Sequence, residues 1–365
     1  MSILPPPYAI DIGERSLKVI VLGRRSLLAK DRRTPMLLAC AERTIPEGWI
    51  IRGDIHEPER LALLLKETTA HLVPRRVRSA FAVTVLPEAR TYLTATHGEL
   101  VDGSIDTAAI RRTLPSILPV NPDDVVMDAA VVPTAATTPT QTIAVAAAPT
   151  ALVEAYAAVI IAAGLTPIAL EAEATSIGRA VTAHTPDAHA AVDRTVLAID
   201  CGATRTSAIL ATPATAIASI TIPVSGTHLT AAIASGLDLD LLTAERVKRE
   251  TNIASTATAR DHDGAGVILQ SALHPVLDGI ASIRAFASAH LPPALQPHAI
   301  ILTGGGADLS GLDIFLATHT KLPVDRFTIP LGPTETARCA HRGSSSHLAT
   351  AYGLGLLGLD RAPEL

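Results

Sequence analysis

One pattern of apolar and polar positions occurs twice along the chain. Residues 8–22, YAIDIGERSLKVIVL, and residues 196–210, VLAIDCGATRTSAIL, each run apolar–apolar–Ile–Asp–x–Gly. Each then crosses a polar turn and enters a second apolar run. Short apolar runs bounded by glycine and polar residues predict paired strands around a tight turn. Between and after these copies the pattern alternates in type. Helical spacing with an acidic start covers 56–72, and a strand over 79–86 is ended by Pro87. Strand-like pieces, DVVMDAAVV and QTIAVAAA, lie in the Thr/Ala/Pro-rich stretch 105–150, which reads as a small α/β insertion. A helix over 150–163 and a strand over 166–171 follow. In the second half the spacing predicts a helix over 229–250. Residues 298–324 predict strand, glycine turn, helix and strand, and 344–359 a closing helix. No solenoid period is present. The repeat is one coarse duplication of an α/β unit.

Composition narrows this picture. A chain of 365 residues has room for two domains. A hydrophobic share of 48% excludes a disordered protein. With only 4 Phe, 4 Tyr and 1 Trp, the cores must be packed from Ala, Leu, Ile and Val. The net charge of −5 argues against nucleic acid as the main partner. Arg75, Arg76 and Arg78 read as a solvated helix end. Cys40, Cys201 and Cys339 lack CxxC spacing, which disfavours a disulfide framework or zinc site and fits a reducing cytoplasm. Pro5, Pro6 and Pro7 interrupt the place of a signal peptide's apolar core. The apolar stretch 155–170 is broken by Gly164 and Pro167, so a buried helix, a turn and a strand are expected there. GLDRAPEL at the end is not a basic amphipathic anchor, so any membrane association is expected to run through a partner.

The repeated hairpins carry the candidate chemistry. Gly13 allows positive φ and close backbone approach to a ligand. Amide groups of such a turn form an anion-binding concavity. Ser16 adds a hydroxyl and Lys18 a positive charge. Asp11, an anion beside a phosphate, makes sense with Mg2+ between the two. The second copy offers Asp200, Gly202, Thr204, Thr206 and Ser207. Facing each other, the hairpins would clamp a polyphosphate and its metal. TGGGADLSG, residues 303–311, follows a strand and precedes a helix, a place where nucleotide phosphate or ribose can approach amide groups. No Walker-type G-x-x-x-x-G-K-[ST] is present. GLGLLG, residues 353–358, matches G-x-G-x-x-G but sits inside the last helix and reads as helix packing through small residues.

YAIDIGERSLK and VLAIDCGATRTSAIL resemble the two phosphate motifs of the actin-like ATPase fold. ILTGGGADLSGLDIFL resembles its adenosine motif, and EAEATSIGRAV and LATAYGLGL its connecting helices. The phrases TIPEGWIIRGDIHEPERLALLLKE, VTVLPEART and AAGLTPIALEAEATSIGRAV resemble the PilM-like cytoplasmic proteins of type IV pilus assembly, with FtsA the nearest relative. Gly226 stands alone where such chains usually carry paired glycines, and 331–346 fits poorly.

The resemblance implies an α/β actin-like fold of two duplicated lobes with mixed sheets flanked by helices. Residues 1–193 would form the first lobe, with an inserted subdomain over about 78–149 and closure by a C-terminal helix over 345–365. Residues 194–344 would form the second, with a helical subdomain over about 227–291. It further implies ATP or ADP with Mg2+. Asp11 and Asp200 would hold the metal, and Gly13 and Gly202 would face the phosphates. Gly304, Gly305, Gly306, Glu245 and Lys248 would surround the adenosine. Glu171 best matches the water-orienting acid, with Glu173 competing. Turnover is expected to be slow, because no lysine stands where chaperones supply one. The implied partner is the cytoplasmic tail of a PilN-like single-span membrane protein, received against the insertion, with self-association or other pilus-assembly proteins as further contacts. The implied location is cytoplasmic, peripheral to the inner face of the membrane. Two alternatives stand beside this: an FtsA-like filament scaffold, and a sugar-kinase-like phosphotransferase with Asp54 or Asp128 as base. A zinc site at Asp261, His262 and Asp263 is disfavoured, since adjacent residues chelate one ion poorly.

Overall fold

The computed structural model describes residues 5–24, 35–74, 76–134, 140–184, 195–254, 264–329 and 344–361. Each repeated phrase folds into the expected strand pair, but Gly13 and Gly202 do not take the positive φ that glycine allows; glycine is favoured there by close approach, since a Cβ would lie 3.3 Å from the Ser16 carbonyl and 2.8 Å from the Arg205 carbonyl respectively. Strands β1 (Tyr8–Ile12) and β2 (Ser16–Arg24) pair antiparallel around Gly13. Strand β3 (Pro35–Thr44) adds to β2, and a small ribbon of β4 (Ile50–Ile51) and β5 (Asp54–Ile55) leads into helix α1 (Pro58–Ala70). Proline in the first turn of α1 sits where its missing amide is harmless. Strand β6 (Phe81–Leu86) pairs parallel with β1.

The chain then leaves this sheet. Strands β7 (Tyr92–Val101), β8 (Ser104–Ile105), β9 (Val125–Val131) and β10 (Thr140–Pro149) form a separate four-stranded sheet, covered by α2 (Thr107–Ile117). Asp106 caps α2 by accepting from the Ala109 amide at 2.9 Å. The insertion expected from about residue 78 thus starts later as a sheet, because 81–86 pairs with β1 and with residues 166–172 in the first one. Helix α3 (Thr150–Ala162) and strand β11 (Thr166–Ala172) return the chain, with β11 parallel to β6. Helix α4 (Glu173–His184) closes this half.

The second half repeats the plan. Strands β12 (Val196–Cys201), β13 (Thr206–Ala211) and β14 (Ala216–Ile222) form an antiparallel meander. Helices α5 (Gly226–Leu237), α6 (Leu241–Glu250), α7 (Ala265–Ala272) and α8 (His274–His290) follow. The single helix expected over 229–250 is two. Asp238 turns left-handed at φ 53°, and Asp240 caps the second helix through the Leu242 and Thr243 amides. Strand β15 (Ala299–Thr303), helix α9 (Leu312–Thr320), strand β16 (Val324–Arg326) and helix α10 (Ala349–Arg361) complete the chain. The first sheet runs β3-β2-β1-β6-β11 and the second β14-β13-β12-β15-β16. Strand for strand, the parallel and antiparallel pairings match, so the duplication read from two phrases extends to both sheets.

Helices α4 and α10 lie between the sheets. Ala174, Ile177 and Val181 of α4 share one core with Val83 and Val85 of the first sheet and Ala198 and Ile209 of the second. Aliphatic side chains do most of this packing, as the composition required. The few aromatics are used deeply: Tyr156, Phe327 and Tyr352 are fully buried. Gly353, Gly355 and Gly358 of α10 allow this approach, since added Cβ atoms would strike α4, Leu22 and Pro7 respectively. That confirms helix packing for GLGLLG. The segment Ala265–His290 has the length and hydropathy of a membrane span. Its Leu269, Leu273, Val276, Ile280, Ile283 and Ala287 recur at three- and four-residue spacing and are buried in the second core, the pattern of a core-facing helix. Cys201 is a free thiol, whereas Cys40 is disulfide-bonded, although the cysteine spacing disfavoured a disulfide framework. Asp261, His262 and Asp263 lie outside the described residues, as does most of 331–346.

Candidate functional site

The two β-hairpins present equivalent rungs. In the first, the Gly13 amide donates to the Ser16 carbonyl at 3.0 Å; in the second, the Gly202 amide donates to the Arg205 carbonyl at 2.8 Å. Asp11 stands opposite Lys18 on β1–β2, and Asp200 opposite Ser207 on β12–β13. Ser16 and Arg205 therefore occupy the same rung of their respective turns. The turns confront each other. The Arg205 guanidinium reaches across to Glu14 Oε1 at 3.4 Å and to Glu173 Oε2, at the start of α4, at 2.6 Å. All three side chains are mostly buried.

Charge is concentrated at this junction. Lys18 Nζ donates to Asp11 Oδ2 at 3.0 Å. Burial pushes the Asp11 carboxyl above its usual range, against the pull of Lys18. Burial alone would lower the pKa of the Lys18 ammonium, but Asp11 more than offsets this and keeps it above its ordinary value. Asp200 accepts from Thr303 Oγ at 2.9 Å, a partner set by the parallel register of β12 and β15. Burial and the charge of Glu173 push Asp200 up to about 6. Burial would raise Glu173 too, yet Arg205 and the Glu88 backbone amide hold it below the usual carboxylate range. Glu88 is more extreme: burial pushes it up to about 8, and its Oε2 has no hydrogen-bond partner. Among the described residues no three carboxylate, imidazole or thiol groups converge as a ready metal cage. A divalent ion would rest on one or two carboxylates, phosphate oxygens and water, the arrangement Mg2+ prefers.

The glycine turn adjoins the second hairpin. Gly304 takes φ 78°, and a Cβ there would lie 2.8 Å from Asp200 Oδ1. A Cβ at Gly306 would lie 2.7 Å from that of Cys201, whereas Gly305 faces open space. The turn leads into a 3-10 turn, Gly305–Asp308, rather than directly into α9. The Gly304 amide donates to the Ser346 carbonyl at 3.1 Å, tying the turn to the approach to α10.

The remaining candidates fall in two groups. Thr204 is exposed at the turn tip, whereas Thr206 and Ser207 are buried in β13. Glu245 and Lys248 meet on α6, with Lys248 Nζ donating to Glu245 at 2.6 Å, Thr230 Oγ at 2.8 Å and the Gly226 carbonyl at 2.9 Å. Gly226 in turn donates to the Gly202 carbonyl at 3.0 Å, so the pair sits one helix turn behind the second hairpin. Burial opposes ionisation of Glu245, but Lys248, Thr230 and Arg249 hold it down to about 2. Glu171 does not join the cluster. Its carboxylate is gripped by both terminal nitrogens of Arg179, each at 2.7 Å. Glu173, the competing acid, is the one the fold brings to Asp11 and Asp200, since it begins α4 while Glu171 still belongs to β11. Asp54 is bound by Arg90, and Asp128 lies on β9 of the inserted sheet; neither reaches the cluster. Glu14, Arg205, Thr303 and Glu88 are the participants sequence reading missed. The one visible signal was opposite charge on the two turns.

The family described as Type IV pilus assembly protein PilM matches residues 9–357. No curated protein matches. Among solved structures, one titled PilM-PilN type IV pilus biogenesis complex superposes with TM-score 0.77 at 24% identity, covering 97% of this chain and 98% of that one. MreB 5 of Spiroplasma citri bound to AMPPNP follows at TM-score 0.53 and 14% identity, covering 96% and 94%. The ethanolamine utilization protein EutJ from Carboxydothermus hydrogenoformans gives TM-score 0.52 at 16% identity, covering 97% and 90%. The fold is that of the actin-like ATPases, and with nearly the whole chain matched, it belongs to the PilM family of type IV pilus assembly proteins.

Proposed function

We propose that the cleft between the two hairpins binds a nucleoside triphosphate, ATP or its ADP product, with Mg2+. The observation that carries this is the confrontation of two equivalent carboxylate-bearing turns, joined by Arg205 and adjoining the open face of Gly305. Asp11, Asp200, Glu14 and Glu173 against Lys18 and Arg205 leave two surplus negative charges when all are ionised, which a divalent ion neutralises. When bound, Mg2+ supplies charge neutralisation to the phosphates. Asp11 and Asp200 hold it largely through water. The turn amides at Gly13 and Gly202 and the Ser16 and Thr204 hydroxyls face phosphate oxygens, with Lys18 compensating charge. Gly304, Gly305 and Gly306 pass beside the adenosine, with Glu245 and Lys248 supporting the opposite wall. Glu173, rather than Glu171, orients water, and hydrolysis is slow. A structure of MreB 5 bound to AMPPNP, of the same fold, supports this assignment.

In this reading residues 1–193 with 345–365 form one lobe and 194–344 the other, and nucleotide biases their relative closure. The protein works at the cytoplasmic face of the inner membrane, recruiting the tail of a PilN-like protein through the inserted subdomain. The similarity to a PilM-PilN complex supports that partner. Calorimetric titration of Mg–ATP into wild type and Asp200→Ala tests the site. Binding by the wild type and loss in the variant are expected; equal affinity in both would remove Asp200, and with it the cleft, from the site.

A further inference from the structure

The Arg205 guanidinium bridges the two hairpin turns. It leaves a turn of the second sheet and ends on two carboxylates attached to the first, Glu14 on the opposing turn and Glu173 at the head of α4. The three side chains are only 12–16% exposed, so the contact is shielded from water and salt. The equivalent rung of the first hairpin carries Ser16, so that turn offers no matching guanidinium at this position. A phosphate chain entering between the turns would meet this group, and a guanidinium pairs with phosphate by the same planar fork it offers carboxylate.

We propose that Arg205 is an exchangeable latch. Without nucleotide it joins the turns by holding Glu14 and Glu173. With nucleotide its fork transfers to a terminal phosphate oxygen, leaving Glu173 free to accept a hydrogen bond from water. Arg205 is thus a positioning residue for Glu173, and occupancy of the cleft is coupled to the acid's availability. The inference rests on the nucleotide reading of the cleft, but its first arm does not need nucleotide.

That arm is hydrogen exchange of the ligand-free protein. Peptides covering 11–18 and 200–207 are expected to exchange faster in Arg205→Gln than in wild type; unchanged exchange at both turns overturns the latch. The second arm is a double-mutant cycle of Glu14→Gln and Arg205→Gln, read as the dissociation constant for Mg–ATP. Removing a competing carboxylate from Arg205 should tighten binding about threefold or more, because an entering phosphate no longer has to displace it, and this gain should vanish when Arg205 is gone. Simple relief of charge repulsion by Glu14→Gln would give the same gain in both backgrounds, and that result overturns the proposal. Arg205→Lys substitutes where Arg205→Gln fails to fold, since it keeps the charge and loses the fork. Wild type that binds no nucleotide defeats the cleft assignment and the transfer step together, while faster exchange in Arg205→Gln still upholds the ligand-free half of the latch.

Discussion

Gly353→Ala tests the seam on which the site is built. In an isolated helix this change stabilises by about 1 kcal/mol, because alanine is the better helix former. Here the new methyl would lie 2.7 Å from Ser176 Oγ and closer still to the Ser176 carbonyl oxygen. That oxygen is backbone and cannot rotate aside. Relief requires α4 and α10 to part by roughly 1 Å, which forfeits part of the dispersion contact along Ala174, Ile177 and Val181. Overpacking of this kind costs about 1–3 kcal/mol, occasionally more. Because the obstacle is main chain, the upper end applies, and the net expected loss is about 2 kcal/mol after the propensity gain. The same displacement moves Glu173 and breaks the Arg179 hydrogen bond to the Gly353 carbonyl, now 3.0 Å. Gly358→Ala should cost less, since its Cβ would press on the Pro7 ring at 2.8 Å and otherwise meet Val83 at an ordinary 3.6 Å. Urea unfolding followed by circular dichroism measures both variants. A Gly353→Ala protein as stable as wild type, or more stable, refutes the seam as described.

Three further outcomes follow from the site. Glu88 binds a proton in the folded state that the unfolded chain gives up, so its effect is absent below its ordinary 4.5 and stability drains away as pH rises to about 8. By linkage this is about 1.4 kcal/mol per pH unit; Glu88→Gln should therefore gain about 3 kcal/mol on wild type between pH 5 and 7.5, and a pH-independent difference contradicts the burial argument. Glu173→Gln should abolish steady-state phosphate release while Glu171→Gln, whose carboxylate serves Arg179, should retain it in whatever fraction of the protein stays folded. Gly304→Ala should lose at least 1 kcal/mol of stability by forcing a side chain into positive φ against Asp200, measured by thermal unfolding; an unchanged midpoint removes that constraint.

The two Asp–x–Gly phrases made much of the fold legible, because an apolar strand broken by Asp and Gly has few alternatives in local structure. The same phrases placed Asp11, Asp200 and the turn glycines together. They could not show that Glu173 and not Glu171 enters the cluster. That choice depends on where β11 ends and α4 begins, a boundary of two residues, and on Arg179 eight positions along claiming the first acid. The 229–250 helix looked continuous because Asp238 in left-handed geometry leaves no mark on apolar spacing. Arg205 and Glu14 stayed hidden because their meeting is a property of the assembled halves, not of either segment.

The rungs of the two hairpins match in backbone but not in chemistry: lysine faces an acid on one side where serine does on the other, and serine on one turn answers arginine on its counterpart. A perfectly mirrored vessel would admit an elongated anion head-first or tail-first with equal ease. Unequal walls break that tie. In the proposed nucleotide site, divergence of the two copies would give the compartment a direction, so that one end of its occupant would arrive at the acid that begins α4.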